Sequence, residues 1–154
     1  MKRSAWLLLL SGCMTAAWTP PQPYFRTVDP DNAWVRTVEA TKKHCGGITS
    51  ANEEAGIVIG AWELWNTGDG LIITQCIVSL LRGDQHVRDV RVTFSSRRCP
   101  LSDMNTPIEE LVKTCEISDT VPEQVKNGLE VTGQKLEKDI NAVERRVTDN
   151  GLSP

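Results

Sequence analysis

The chain has 154 residues, 40% hydrophobic and 24% charged, with five cysteines and a formal net charge of −3. That length and apolar share fit one compact domain and exclude a disordered or low-complexity chain. A sequence pI near 5.4 argues against the basic face of a nucleic-acid binder. Only two histidines, His44 and His86, leave little room for histidine-based catalysis or metal ligation.

Lys2 and Arg3 form a short positive segment, residues 5–10 a compact apolar run, and Ser11 and Gly12 a pair of small residues before Cys13. This is the order of an export signal. The run is too short to span a bilayer, which needs about 20 apolar residues. The string Leu10-Ser11-Gly12-Cys13 resembles a bacterial lipobox. The resemblance covers residues 1–13. It implies that the Cys13 thiol takes a diacylglyceryl group and that a peptidase cuts just before it, leaving Cys13 as the acylated first residue of a membrane anchor. Met14, standing where inner-membrane retention would have Asp, implies the outer membrane. Loss of residues 1–12 removes two positive charges and no negative ones, shifting the net charge from −3 to −5. Lipid, not a polybasic patch, would therefore hold the chain at the membrane.

Residues 13–28, with Thr19-Pro20-Pro21-Gln22-Pro23, read as a semi-extended tether. A core domain is expected over residues 29–118, and a C-terminal helix and tail over 119–154. Asp29-Pro30-Asp31 predicts a helix start, and Trp34, Val38, Thr41 and Cys45 predict one helical face. Lys42, Lys43 and His44 suit the dipole in its last turn, and Gly46-Gly47 stops it. Residues 56–65 predict a strand and Asn66-Thr67-Gly68-Asp69-Gly70 a turn. Residues 71–81 predict a second strand, Arg82-Gly83-Asp84-Gln85 another turn, and residues 87–94 a third strand. The short connections imply an antiparallel meander. The middle strand lacks alternation, which implies burial on both faces.

Thr106 and Glu109 around Pro107 predict a second helix with Ile108, Leu111, Val112 and Cys115 on its apolar face. Thr120-Val121-Pro122-Glu123 repeats the start signal. Val125, Leu129, Thr132, Leu136, Ile140, Val143 and Val147 then recur at a mean spacing of about 3.67 residues, predicting an amphipathic helix of roughly 25 residues. Gly128 and Gly133 each cost such a helix about 1 kcal/mol, so it needs packing support. Its stripe either covers the domain's own core or meets a partner.

With Cys13 set aside, Cys45, Cys76, Cys99 and Cys115 remain, an even number that in an exported chain reads as two disulfides. Three pairings are open and the sequence does not choose among them; the sequential one, Cys45–Cys76 with Cys99–Cys115, is the pairing expected here. No CxxC pair supports a zinc site. GxSxG, HExxH, P-loop and GxGxxG patterns are absent, so no catalytic residue, metal site or cofactor is expected. Trp62 and Trp65 differ in parity on one strand and point to opposite faces, making one of them a candidate aromatic anchor for a partner.

The expected architecture is a disulfide-stabilised α+β domain: N-terminal helix, three-stranded antiparallel meander, short helix and long C-terminal amphipathic helix. The expected role is that of a non-catalytic, lipid-anchored cell-envelope protein, an accessory or scaffold subunit of a membrane-associated assembly. Its candidate partner-binding residues are Trp62, Trp65, Val125, Leu129, Leu136, Ile140 and Val143, and its partner is a protein of the envelope, not nucleic acid. A ligand- or substrate-binding module using the sheet face is the alternative, and an enzyme with a dispersed site the third reading.

Overall fold

The structure is a computed structural model that describes residues 24–27, 32–81 and 88–141. Its centre is the expected meander: β3 (Ile57–Asn66), β4 (Leu71–Leu81) and β5 (Arg88–Cys99), all antiparallel. The sheet is wider than the meander. β2 (Ile48–Asn52) pairs with the outer edge of β3. β1 (Tyr24–Thr27) and the two-residue β6 (Glu116–Ile117) pair with β5 at different points along it. The strand order is β1-β5-β4-β3-β2, with β6 off that path. Helices α1 (Ala33–His44), α2 (Ile108–Thr114) and α3 (Glu123–Ile140), with a single 3-10 turn at Leu101–Asp103, complete the elements of the described residues.

The meander was legible because β4 is apolar without alternation and bounded by turns. Leu71, Ile72, Ile73 and Thr74 are all buried, as a strand covered on both faces requires. β2 gave no comparable signal: four of its five residues, in the run ITSAN, are exposed, and an edge strand with no core-facing row shows no period of two. β1 falls inside the stretch 13–28 expected to be tether. β5 runs to Cys99, past the expected end at Phe94, because its pairing with β4 continues to Leu71. The Arg82-Gly83-Asp84-Gln85 turn lies outside the described residues.

α1 begins at Ala33 with Asn32 at the cap position and no side-chain capping bond, later than the Asp29-Pro30-Asp31 signal placed it. Its buried face is Ala33, Thr37, Ala40 and Thr41; of the expected Trp34–Val38–Thr41–Cys45 row, Thr41 and Cys45 are buried and Trp34 and Val38 only partly so. Small side chains let α1 approach α3 and the sheet closely, and Trp34 packs at the margin of the same core. The Thr41 hydroxyl donates to the Thr37 carbonyl at 2.7 Å, satisfying one polar group there. α2 and α3 start after Pro107 and Pro122 without side-chain capping bonds, so the expected Thr106/Glu109 box does not form. α3 has 18 residues and ends at Ile140, short of the expected length; Val143 and Val147 lie outside the described residues.

Two apolar layers result. On one face of the sheet, α1 and α3 pack over Ile72, Cys76, Val78 and Leu80 of β4 and Val90, Val92 and Phe94 of β5. On the other, α2 packs Leu111 and Cys115 over Leu71, Ile73 and Cys99. A bulge in β3 between Ile59 and Trp62 gives its second half a register that sends Trp62 to the α2 side and Trp65 to the α1/α3 side.

Trp65 also explains a glycine. A Cβ at Gly128 would lie 2.6 Å from the Trp65 Cη2 atom and 2.9 Å from Cζ3. Gly128 thus weakens α3 locally but lets it sit on the indole. Gly128→Ala gains about 1 kcal/mol of helix propensity and meets an overpacking cost of about 1–3 kcal/mol. We expect net destabilisation in urea unfolding; a gain of stability would show that the indole has room to move.

Candidate functional site

The structure pairs Cys45 with Cys76 and Cys99 with Cys115, the sequential connectivity. Each bridge fastens a helix end to the sheet. Cys45, just past α1, reaches Cys76 in the middle of β4, with Cα atoms 5.9 Å apart. The bridge crosses β3 at Gly60, where a Cβ would lie 2.6 Å from that of Cys45. Only glycine leaves that passage open. Cys115, just past α2, reaches Cys99 at the end of β5, with Cα atoms 4.9 Å apart. Arg97 reinforces this end: its Nη1 donates to the Cys115 carbonyl at 3.1 Å, and its guanidinium lies 5.9 Å from the Trp62 ring centroid.

The residues expected to meet a partner are placed differently from one another. Val125, Leu129, Leu136 and Ile140 are each at most 2% exposed. They form the core with α1 and the sheet, so the stripe is spent inside the molecule and offers no docking surface. Trp65 is half-buried in that core, and its Nε1 donates to Thr74 Oγ1 at 2.9 Å. Trp62 is half-buried against α2. Neither indole stands free as an anchor, because each face of the sheet has a helix at that level. Val143, and Cys13 with the whole lipobox, lie outside the described residues.

Two other features emerge. The first is the far half of the α2-side sheet face. α2 covers the Leu71/Ile73 end. Beyond it, Ile59 and Ile77 face each other across β3 and β4, with Ile57 opposite Ser79 in the next row but one. Ile57 is 36% exposed and Leu64, on the same face, 45%; Ile59 and Ile77 are half-buried. The patch is apolar, with Ser79, Gln75 and Thr93 as its polar neighbours and Arg91 and Arg97 of β5 at its rim, opposite Ser79 and Ile73.

The second is a cleft of about 450 Å³ where the β3–β4 turn meets the end of β5 and the start of β6. Thr67, Asp69, Arg98, Thr114 and Glu116 line it together with the Cys99–Cys115 bridge and Pro100. The Thr67 hydroxyl donates to Asp69 Oδ1 at 2.8 Å. That bond first, then a backbone bond and the field of Arg98, hold the Asp69 carboxyl below its ordinary value. The sequence gave these residues no common pattern. Gly68-Asp69-Gly70 reads as a turn, while Arg98 and Glu116 converge only because each adjoins a cysteine of the same bridge.

No protein-family model matches the chain, and no curated protein matches it. Among the described residues, no group of three or more His, Cys, Asp or Glu is placed to hold a metal ion, and no helix is long and apolar enough to cross a membrane.

Two carboxylates set opposite acid responses. Asp139 on α3 takes Lys43 Nζ at 2.7 Å and His44 Nε2 at 2.8 Å on one oxygen, tying the ends of α1 and α3. Lys43 first, then His44, lower its pKa. Its contribution is therefore present above an unfolded value of about 3.9 and lost as pH falls through the lower folded one. Glu63, half-buried beside Gly46, has its pKa raised by desolvation. Its ionisation opposes folding, so stability falls as pH rises from about 4.3 through the raised folded value. Urea midpoints across pH should show Asp139→Asn less stable at neutral pH with a shallower acid limb. Glu63→Gln should be more stable at neutral pH, with the difference vanishing in acid. The reverse pair of shifts would contradict both assignments.

Proposed function

We propose that this chain is a non-catalytic, lipid-anchored protein of the cell envelope that serves as an accessory subunit of a membrane-associated assembly. The lipobox-like Leu10-Ser11-Gly12-Cys13 supports the anchor and the address, with Met14 favouring the outer membrane. The Pro-rich stretch before β1 would hold the domain off the lipid surface.

The observation that carries the accessory role is the half-covered sheet face: Ile57, Ile59 and Ile77 lie beyond the Leu71/Ile73 end that α2 covers, and Leu64, opposite Ile73, stays 45% exposed. A contiguous apolar patch rimmed by polar groups marks an interaction surface in a small domain. Its apolar rows, with Arg91 and Arg97 at the rim, suit a protein of the same envelope that presents an apolar surface. The role first ascribed to the α3 stripe thus passes to the sheet. No catalytic step, metal or cofactor is assigned.

The test is chemical cross-linking and affinity purification of the full-length chain from its native membranes. Wild type should retain one defined partner. Ile57→Glu with Leu64→Glu, both at exposed positions, should lose it while the urea midpoint stays within about 1 kcal/mol of wild type. Undiminished capture by this variant, or recovery of a second copy of the chain alone, would overturn the reading. Cys13→Ser should move the protein out of the membrane fraction and abolish the acyl mass; unchanged partitioning would remove the anchor from the account.

A further inference from the structure

The cleft beside the Cys99–Cys115 bridge is independent of the sheet-face surface, and its charges are specific. Arg98 and Glu116 are directly opposed in the β5–β6 register, which places their Cβ atoms about 5 Å apart. Asp69, on the β3–β4 turn, lines the same hollow. Among the described residues neither Arg98 nor Glu116 is in an ion pair. Asp69 is engaged by the Thr67 hydroxyl, a neutral donor that keeps the carboxylate ionised without cancelling its charge. One guanidinium and two carboxylates therefore surround a volume of about 450 Å³ without neutralising one another by contact. That volume is within the range of small-molecule sites. The bridge, Pro100 and Ile72 supply apolar contact within the same hollow.

We propose that this cleft binds a free diamino acid. Its carboxylate lies on Arg98, its two ammonium groups lie toward Asp69 and Glu116, and its methylene chain lies along the disulfide. Each alternative leaves a charge unmet. A phosphate or simple carboxylate would satisfy Arg98 and face two like charges. A metal ion would sit beside the guanidinium with two carboxylates as its protein ligands. A bare diamine would satisfy the carboxylates and leave Arg98 without an anion. A ligand with one negative and two positive groups meets all three. The guanidinium fork suits a carboxylate in bidentate geometry.

The experiment is titration of the full-length protein in detergent micelles, followed by calorimetry and by amide chemical shifts, with three probes. L-Lysine carries both ammonium groups and the carboxylate, norleucine lacks the distal amine, and cadaverine lacks the carboxylate. Lysine should bind at least tenfold more tightly than either of the others and shift the amides of residues 67–70 and 98–100. Arg98→Met should erase lysine's advantage over cadaverine, and Asp69→Asn should weaken both. Both are surface substitutions, and unchanged urea midpoints would show that the fold survives them. Absence of lysine binding at millimolar concentration overturns the proposal. So does lysine binding that neither substitution changes, which would place the site elsewhere.

Discussion

The double burial of β4 is the constraint on which the rest of the molecule depends. From Leu71 to Thr74 every side chain is at most 1% exposed, so both faces of the strand must be kept dry at once. Fully burying each of the aliphatic residues among them contributes roughly 1.5–3 kcal/mol, and only helices on both sides make that possible. α1 and α3 cover one side in a single apolar core. α2, a helix of seven residues, covers the other for only part of its length. Thr74, the polar member of the run, is made tolerable by the indole N–H of Trp65. Such a small helix could not stay docked on propensity alone, and the Cys99–Cys115 bridge with the Arg97 clamp on the Cys115 carbonyl holds it. Where α2 stops, the sheet is left half-dry, and the proposed docking surface is a direct consequence of that shortfall.

The two bridges divide the work. Cys45–Cys76 closes the α1/α3 side and demands Gly60 beneath it. Cys99–Cys115 closes the α2 side and draws Arg98 and Glu116 to the mouth of the cleft. Neither helix end is secured by a side-chain cap; covalent bonds and the Lys43–Asp139–His44 cluster do that work instead. Such bridging suits a small domain with a modest core.

Much of this could be read from residues. β4 announced itself by an apolar run without alternation, and the Val125–Leu129–Leu136–Ile140 stripe by its helical spacing. The stripe's residues were correctly identified as one face, but spacing cannot say what a face meets, and here it meets the chain's own sheet. In α1, Thr41 and Cys45 of the expected row are buried, while the larger Trp34 and Val38 stay at the margin. Close approach to α3 instead selects Ala33, Ala40 and two threonines. β2 and β1 were missed because edge strands need not alternate. The opposite faces of Trp62 and Trp65 followed from parity, and the bulge that assigns each to its face lies upstream of both. Gly128, a cost to the helix in sequence terms, becomes necessary once an indole lies beneath it. Asp69, Arg98 and Glu116 share no motif, and only the disulfide connectivity and the strand register assemble them.

The central claim is that the sheet face beyond α2, not the outer surface of α3, is where a partner docks. The most direct measurement is site-specific photo-cross-linking in intact cells, with the photoreactive residue at position 57 on the sheet face or at position 131 on α3, both exposed. The account predicts one discrete heterologous adduct from position 57 and none from position 131. Adducts from position 131 with none from position 57 would contradict it.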